Sequence, residues 1–221
     1  MTRTRIKICG LTREADVDAA VAAGADAVGF VLYAKSPRHV PLRRALALAA
    51  RLPPFVTPVL LFVNALPDEL AQAHQALPLA LWQFHGDETP AMCDAAAHPY
   101  IRAARMGARA GAAPAASTSL DLLDFAAAYP RAKALLLDAN IEGYGGGGKV
   151  FDWSQIPLSV PLPLVLSGGL NPANVIDGVT RVRPWAVDVS SGVEVSKGIK
   201  DAELMRRFCD AVRAADLRRA T

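Results

Sequence analysis

Leu164-Val-Leu-Ser-Gly-Gly169 and Val187-Asp-Val-Ser-Ser-Gly192 are apolar runs that each end in a glycine-bearing turn. Without a bulky side chain in the way, the backbone N–H groups of such a turn can point at an anion. One turn alone is equally explained by tight helix–strand packing with no ligand. Two in successive strand–helix units suggest one shared phosphate cradle. A closed eight-stranded α/β barrel carries a phosphate in the loops after its last two strands. The pair therefore points to a barrel acting on a small phosphorylated molecule.

Working outward, short runs of Val, Ile, Leu and Phe alternate with stretches of helical period roughly every 25–30 residues. Strands are expected near residues 5–9, 27–32, 56–63, 79–85, 100–106, 133–138, 162–167 and 186–190. Several are nearly continuous in apolar residues, as strands covered on both faces are. Thr12 is the expected cap of a helix ending at Gly24, with Glu14 in its first turn. Thr89-Pro90 and Asn171-Pro172 read as helix starts, and Asp201 opens the last helix. Eight β-then-α units give a (β/α)8 barrel, taken as one catalytic domain over residues 1–221; an open doubly wound sheet is the rival. Residues 107–116 read as loop, and the sixth unit carries a long glycine-rich loop at 143–149 in place of an early helix.

The net charge of +3 is dispersed, without a basic block interleaved with aromatics, which argues against nucleic acid and suits a small anion. No apolar stretch approaches the roughly 20 residues that span a bilayer, and no apolar segment follows the N-terminal charges, so a cytoplasmic protein is expected. Cys9, Cys93 and Cys209 are widely spaced and suggest neither a disulfide framework nor a zinc site.

Barrel chemistry collects at the C-terminal ends of strands. There the sequence places Cys9, Arg38, His85, Asp138 and Asp188. Cys9 is either a small core residue or, as thiolate, a base. Asp138 closes Ala134-Leu-Leu-Leu-Asp138, where a carboxyl must be paired, a loop cap or functional. Arg38, stiffened by Pro37, is either a solvated loop arginine or a grip for a carboxylate. His85 reads as a core histidine with a mouth position as the alternative; His39, His74 and His98 read as surface residues. The run Gly143–Lys149 lacks the spacing of a nucleotide phosphate loop and reads as a lid or surface loop.

Together these residues resemble the phosphoribosylanthranilate isomerase family. The resemblance runs through Lys7-Ile-Cys-Gly-Leu-Thr12, Ala23-Gly-Ala-Asp26 with Gly29-Phe30, Ser36-Pro-Arg38, Gln83-Phe-His-Gly-Asp87, Leu137-Asp138, Phe151-Asp-Trp153, Leu166-Ser-Gly-Gly-Leu170 with Asn174-Val175, and Asp188-Val-Ser-Ser-Gly-Val-Glu194. One departure is Gly147, where the family usually has threonine. The resemblance implies an Amadori rearrangement in tryptophan biosynthesis without metal or organic cofactor. It implies Asp138 as general acid, Cys9 as general base and Arg38 on the anthranilate carboxylate. The phosphate would rest on N–H groups of Gly168, Gly169, Ser191 and Gly192, with Asp188 near the sugar hydroxyls or amine.

The nearest rival is the histidine-pathway isomerase, which resembles a barrel with aspartate where this chain has Cys9 and phosphate at both substrate ends. A non-catalytic phosphate-binding barrel would have no need of Cys9 and Asp138. The sequence leaves monomer and homodimer both open.

Overall fold

A computed structural model describes residues 3–106, 121–139 and 151–220. Its centre is a closed barrel of eight parallel strands: β1 Arg5–Cys9, β2 Ala27–Val31, β3 Thr57–Phe62, β4 Leu81–Phe84, β5 Tyr100–Met106, β6 Ala134–Ala139, β7 Leu164–Leu166 and β8 Ala186–Val189. Around it lie α1 Glu14–Ala23, α2 Leu42–Ala49, α3 Pro67–Ala76, α4 Pro90–Ala95, α5 Leu122–Ala128, α6 Val175–Val182 and α7 Ala202–Ala220. The (β/α)8 expectation holds and the open sheet does not, because β1 also pairs with β8. A small antiparallel hairpin, β9 Glu194–Ser196 with β10 Ile199–Lys200, stands between β8 and α7. Among the described residues no helix is long and apolar enough to cross a membrane. The runs 107–116 and 143–149 lie outside the described residues; in the sixth unit a 3₁₀ turn, Trp153–Gln155, precedes β7.

Strand period decides where side chains go. Alternate residues of each strand face the helices, where Phe30, Phe62, Trp82, Phe84, Leu135, Leu137 and Val187 form the main core. The other set faces inward: Ile101, Ala103, Ala134, Leu136, Val165 and Ala186 fill the barrel. One layer nearer the mouth, Cys9 packs with Val31, Leu61 and Val63. Two residues past a buried apolar position, each strand thus delivers its next inward residue to the mouth.

Two helix starts differ from expectation. Arg13, with extended backbone, is the residue before α1, and the Thr12 hydroxyl instead donates to the Gly198 carbonyl at 2.6 Å, tying the β1 loop to the hairpin. The unit at Asn171-Pro172 begins with a turn, and α6 starts only at Val175. Asn174 is occupied there: its Oδ1 accepts from the Asn171 N–H at 2.9 Å and its Nδ2 donates to the Gly169 carbonyl at 3.0 Å. Thr89 and Asp201 cap as expected, accepting from the N–H groups of Met92 and Leu204.

Gly29 occupies an inward position on β2, and a Cβ there would lie 2.6 Å from the Cys9 Sγ. Gly29→Ala should therefore cost about 1–3 kcal/mol of stability by overpacking and displace the thiol. Urea unfolding together with iodoacetamide reactivity of Cys9 measures both. Unchanged stability and thiol reactivity would show that the space is not needed.

Candidate active site

One cavity of about 350 Å³ opens at the C-terminal mouth of the barrel. Cys9, Arg38, His85, Asp138 and Asp188 all line it, so the five sequence candidates meet in one place. Val31, Leu61 and Val63 give its wall beside Cys9 an apolar character, with Tyr33 against that cluster.

The floor is charged. Lys7 and Asp188 are register partners across the β1–β8 seam, and Lys7 Nζ donates to Asp188 Oδ1 at 2.8 Å. Both are buried, so neither would be tolerable without the other. The second carboxylate oxygen accepts from the Ser167 hydroxyl at 3.3 Å. Burial works against the Lys7 ammonium, but Asp188 and the Cys9 sulfur outweigh it and keep it charged. Burial pushes the Cys9 thiol above its usual range; Lys7 opposes that rise and the Asp188 charge adds to it.

Arg38 is buried and clamped. Its Nε and Nη2 donate to the two oxygens of Glu194, each at 2.8 Å, in the bidentate fork guanidinium favours. Glu194 also accepts from Lys200 Nζ at 2.8 Å. Burial alone would raise the Glu194 carboxyl; Arg38 and Lys200 outweigh it and hold it below the ordinary carboxylate range. The Nη1 hydrogens of Arg38 carry no bond among the described residues, so one face of the guanidinium is left for a ligand.

The glycine turns after β7 and β8 lie beside this clamp, the second running directly into Glu194. Gly168, Gly169 and Ser191 line the cavity; Gly192 stands behind them. A Cβ on Gly192 would sit 1.9 Å from the Leu170 carbonyl oxygen, so the turns after β7 and β8 are pressed together into one surface. Gly168 and Gly169 adopt φ of 76° and 69°. Among the described residues none of the N–H groups of Gly168, Gly169, Ser191 and Gly192 has a protein acceptor. Four adjacent donors without partners make an anion cradle.

His85 is both buried and at the mouth, bonded through Nε2 to Asp138 Oδ2 at 3.1 Å and through Nδ1 to Gln83 Nε2 at 2.8 Å. His98 departs from expectation: it is buried, stacked on Trp82 with ring centroids 4.1 Å apart, and its Nε2 donates to the Ala80 carbonyl. Lys7, Gln83, Glu194 and Lys200 were not among the sequence candidates. Lys7 and Gln83 carried a usable signal, each standing two residues before a candidate on its strand and so on the same face. Lys200, brought in by the hairpin, carried none.

The model for the family described as N-(5'phosphoribosyl)anthranilate (PRA) isomerase matches residues 6–211. The chain belongs to this isomerase family. It is 67% identical to the N-(5'-phosphoribosyl)anthranilate isomerase of Leptothrix cholodnii over 98% of its length and 94% of the relative's. Identity to the enzyme of Methylibium petroleiphilum is 68%, covering 98% and 97% of the two chains. The solved phosphoribosyl anthranilate isomerases of Thermus thermophilus and Thermotoga maritima superpose with TM-scores of 0.81, at 34% and 38% identity, over 96% of this chain and 99% of theirs.

Glu194→Gln removes the charge that fixes Arg38. KM should rise about tenfold with a smaller change in kcat. Because the folded carboxyl is held low, the parent's clamp is whole at neutral pH and is lost only as pH falls through that depressed value. Steady-state kinetics of parent and variant, run from neutral pH down past the ordinary Glu range of about 4.3, check this; a KM unmoved by the substitution would remove Glu194 from substrate binding.

Proposed function

We propose that Cys9 and Asp138 move the protons of the family's reaction, with substrate held at its two ends by Arg38 and the glycine turns. As a member of this family the chain is an isomerase of tryptophan biosynthesis. It converts N-(5-phospho-β-D-ribosyl)anthranilate to 1-(2-carboxyphenylamino)-1-deoxy-D-ribulose 5-phosphate by general acid–base catalysis. The observation that carries the residue assignment is the lining of one cavity. A carboxyl and a thiol reach it from β6 and β1, and the unpartnered N–H groups stand at the β7 and β8 ends.

In this reading the phosphate rests on the N–H groups of Gly168, Gly169, Ser191 and Gly192. The anthranilate carboxylate takes the free face of Arg38, and its ring lies against Val31, Leu61 and Val63. Asp188 reaches toward the sugar hydroxyls or amine while holding Lys7. Fixing both ends places the sugar between acid and base, the way positioning lowers a barrier. Asp138 gives its proton to the ring oxygen as the C1′–O bond breaks, leaving a protonated Schiff base at C1′. That positive charge acidifies the C2′ hydrogen. It also favours the thiolate of Cys9, which burial otherwise disfavours. Cys9 takes the C2′ proton, and the resulting enolamine becomes the ketone by gaining a proton at C1′ and losing one from the C2′ hydroxyl.

A related structure, 34% identical with a TM-score of 0.75 over 96% of this chain, holds reduced 1-(o-carboxyphenylamino)-1-deoxyribulose 5-phosphate, which supports a phosphorylated ligand of this shape. The reading takes residues 1–221 as one catalytic domain in the cytoplasm, monomeric or homodimeric; the Thermotoga maritima relative is dimeric.

Cys9→Ala and Asp138→Asn should each lower kcat by about 10²–10⁴-fold with KM little changed, followed as loss of substrate fluorescence. Turnover near the parent's in either folded variant would remove that residue from proton transfer.

A further inference from the structure

Turnover as proposed above leaves Asp138 as carboxylate and Cys9 as thiol, so Asp138 must regain a proton before the next cycle. The structure couples that carboxyl to two buried neighbours, Gln83 on β4 and His85 just past its end. Gln83 and His85 are successive inward residues, and their side chains form a chain to Asp138: Gln83 Nε2 to His85 Nδ1 at 2.8 Å, His85 Nε2 to Asp138 Oδ2 at 3.1 Å. Gln83 is fully buried, and among the described residues its Oε1 has no hydrogen-bond partner. Asp138 Oδ1 accepts from the Ala139 N–H at 3.0 Å, so Oδ2 is the oxygen left to carry a proton.

Hydrogen bookkeeping ties the three groups together. With the amide nitrogen toward His85, Nδ1 must accept; the imidazole hydrogen then sits on Nε2 and is donated to an ionised Asp138. The pair holds one proton. When a second proton arrives, whether it rests on Asp138 or on the imidazole, Nδ1 carries a hydrogen and needs an acceptor. Among the described residues the Gln83 oxygen is the acceptor that can supply it, after the amide turns over by 180°. Because no other group among the described residues bonds the Oε1 end, none of them holds the amide in either orientation.

We propose that Gln83 is a positioning residue for the acid, its amide presenting nitrogen to the one-proton form of the His85–Asp138 pair and oxygen to the two-proton form. The reloading proton comes from solvent water; no bond other than N–H and O–H is made or broken. The inference rests on Asp138 as the general acid. Other ionisable groups on this side are Arg105, whose Nη2 donates to the His85 carbonyl at 3.4 Å, and its ion-pair partner Asp87. Cys9 and the Lys7–Asp188 pair face from β1 and β8. Behind β4, Arg102 donates to the Phe84 and Gly86 carbonyls and Glu88 accepts from the Gly86 N–H, holding the His85 backbone still.

The test uses the whole protein, with Gln83→Leu, which can serve neither form, and Gln83→Glu, which offers only acceptor oxygen to Nδ1. Gln83→Leu should lower kcat about tenfold at unchanged KM, and Gln83→Glu should recover most of that loss. In Gln83→Glu the alkaline limb of kcat/KM should move up by about one pH unit, since the two-proton form is favoured. Nitrogen-15 spectra of the His85 ring, assigned with His85→Asn, should show Nδ1 of the parent losing its hydrogen as pH rises. Identical pH profiles in parent and Gln83→Glu, a Gln83→Leu loss confined to KM or melting temperature, or an Nδ1 unchanged at every pH would each overturn the proposal. Asp138→Asn separates the layers: if it retains turnover the acid assignment fails, whereas if it is inactive and the Gln83 results are negative only this inference fails.

Discussion

Closing a sheet onto itself forces its first and last strands together, and in this chain that seam sets Lys7 against Asp188. A lone ammonium or carboxylate at that depth would be strongly unfavourable; the 2.8 Å pair is what makes the polar floor tolerable. The consequences spread from there. Cys9 lies two residues beyond Lys7 on the same inward face, so its thiol is held beside a fixed positive charge. Asp188 in turn receives the Ser167 hydroxyl, linking the seam to the β7 turn. Barrel closure and site chemistry are therefore one constraint seen at two depths.

The rim shows a division of labour. In one cluster, charges are held by other charges: Arg38 by Glu194, and Glu194 by Lys200 from the hairpin. The turns of Gly168, Gly169, Ser191 and Gly192 instead offer backbone donors with no charged side chain attached, braced by Asn174. In the proposed reading, a substrate with a carboxylate at one end and a phosphate at the other would meet two different anion receptors, and this asymmetry would fix its direction across the mouth.

The barrel was legible in the sequence because parallel strands buried on both faces read as apolar runs, and eight of them with helices between leave few architectures. Cys9, His85, Asp138 and Asp188 were legible for the same reason, since period two carries the inward face straight to the mouth; Arg38, in the loop after β2, was legible only as a charge beside a stiffening proline. What was not legible depends on contacts between distant segments. Nothing local says that Glu194 grips Arg38 or that Lys200 returns beneath it. Thr12 looked like a helix cap because Thr so often is one, yet a tertiary partner, the Gly198 carbonyl, took its hydroxyl. His98 reads as a surface residue because nothing in Ala95-Ala-Ala-His-Pro-Tyr100 marks a partner for it; its partner, Trp82, comes from β4 and is stacked on it only in the fold.

The central claim is directional: phosphate on the glycine turns, carboxylate at Arg38, and the sugar between Cys9 and Asp138. A crystal structure of this chain with the reduced product analogue tests it most directly. The account predicts phosphate oxygens within hydrogen-bond distance of the N–H groups of Gly168, Gly169 and Ser191, the carboxylate on Arg38, and C2′ against the Cys9 sulfur. A phosphate seated at Arg38, or a sugar out of reach of Cys9 and Asp138, would contradict it.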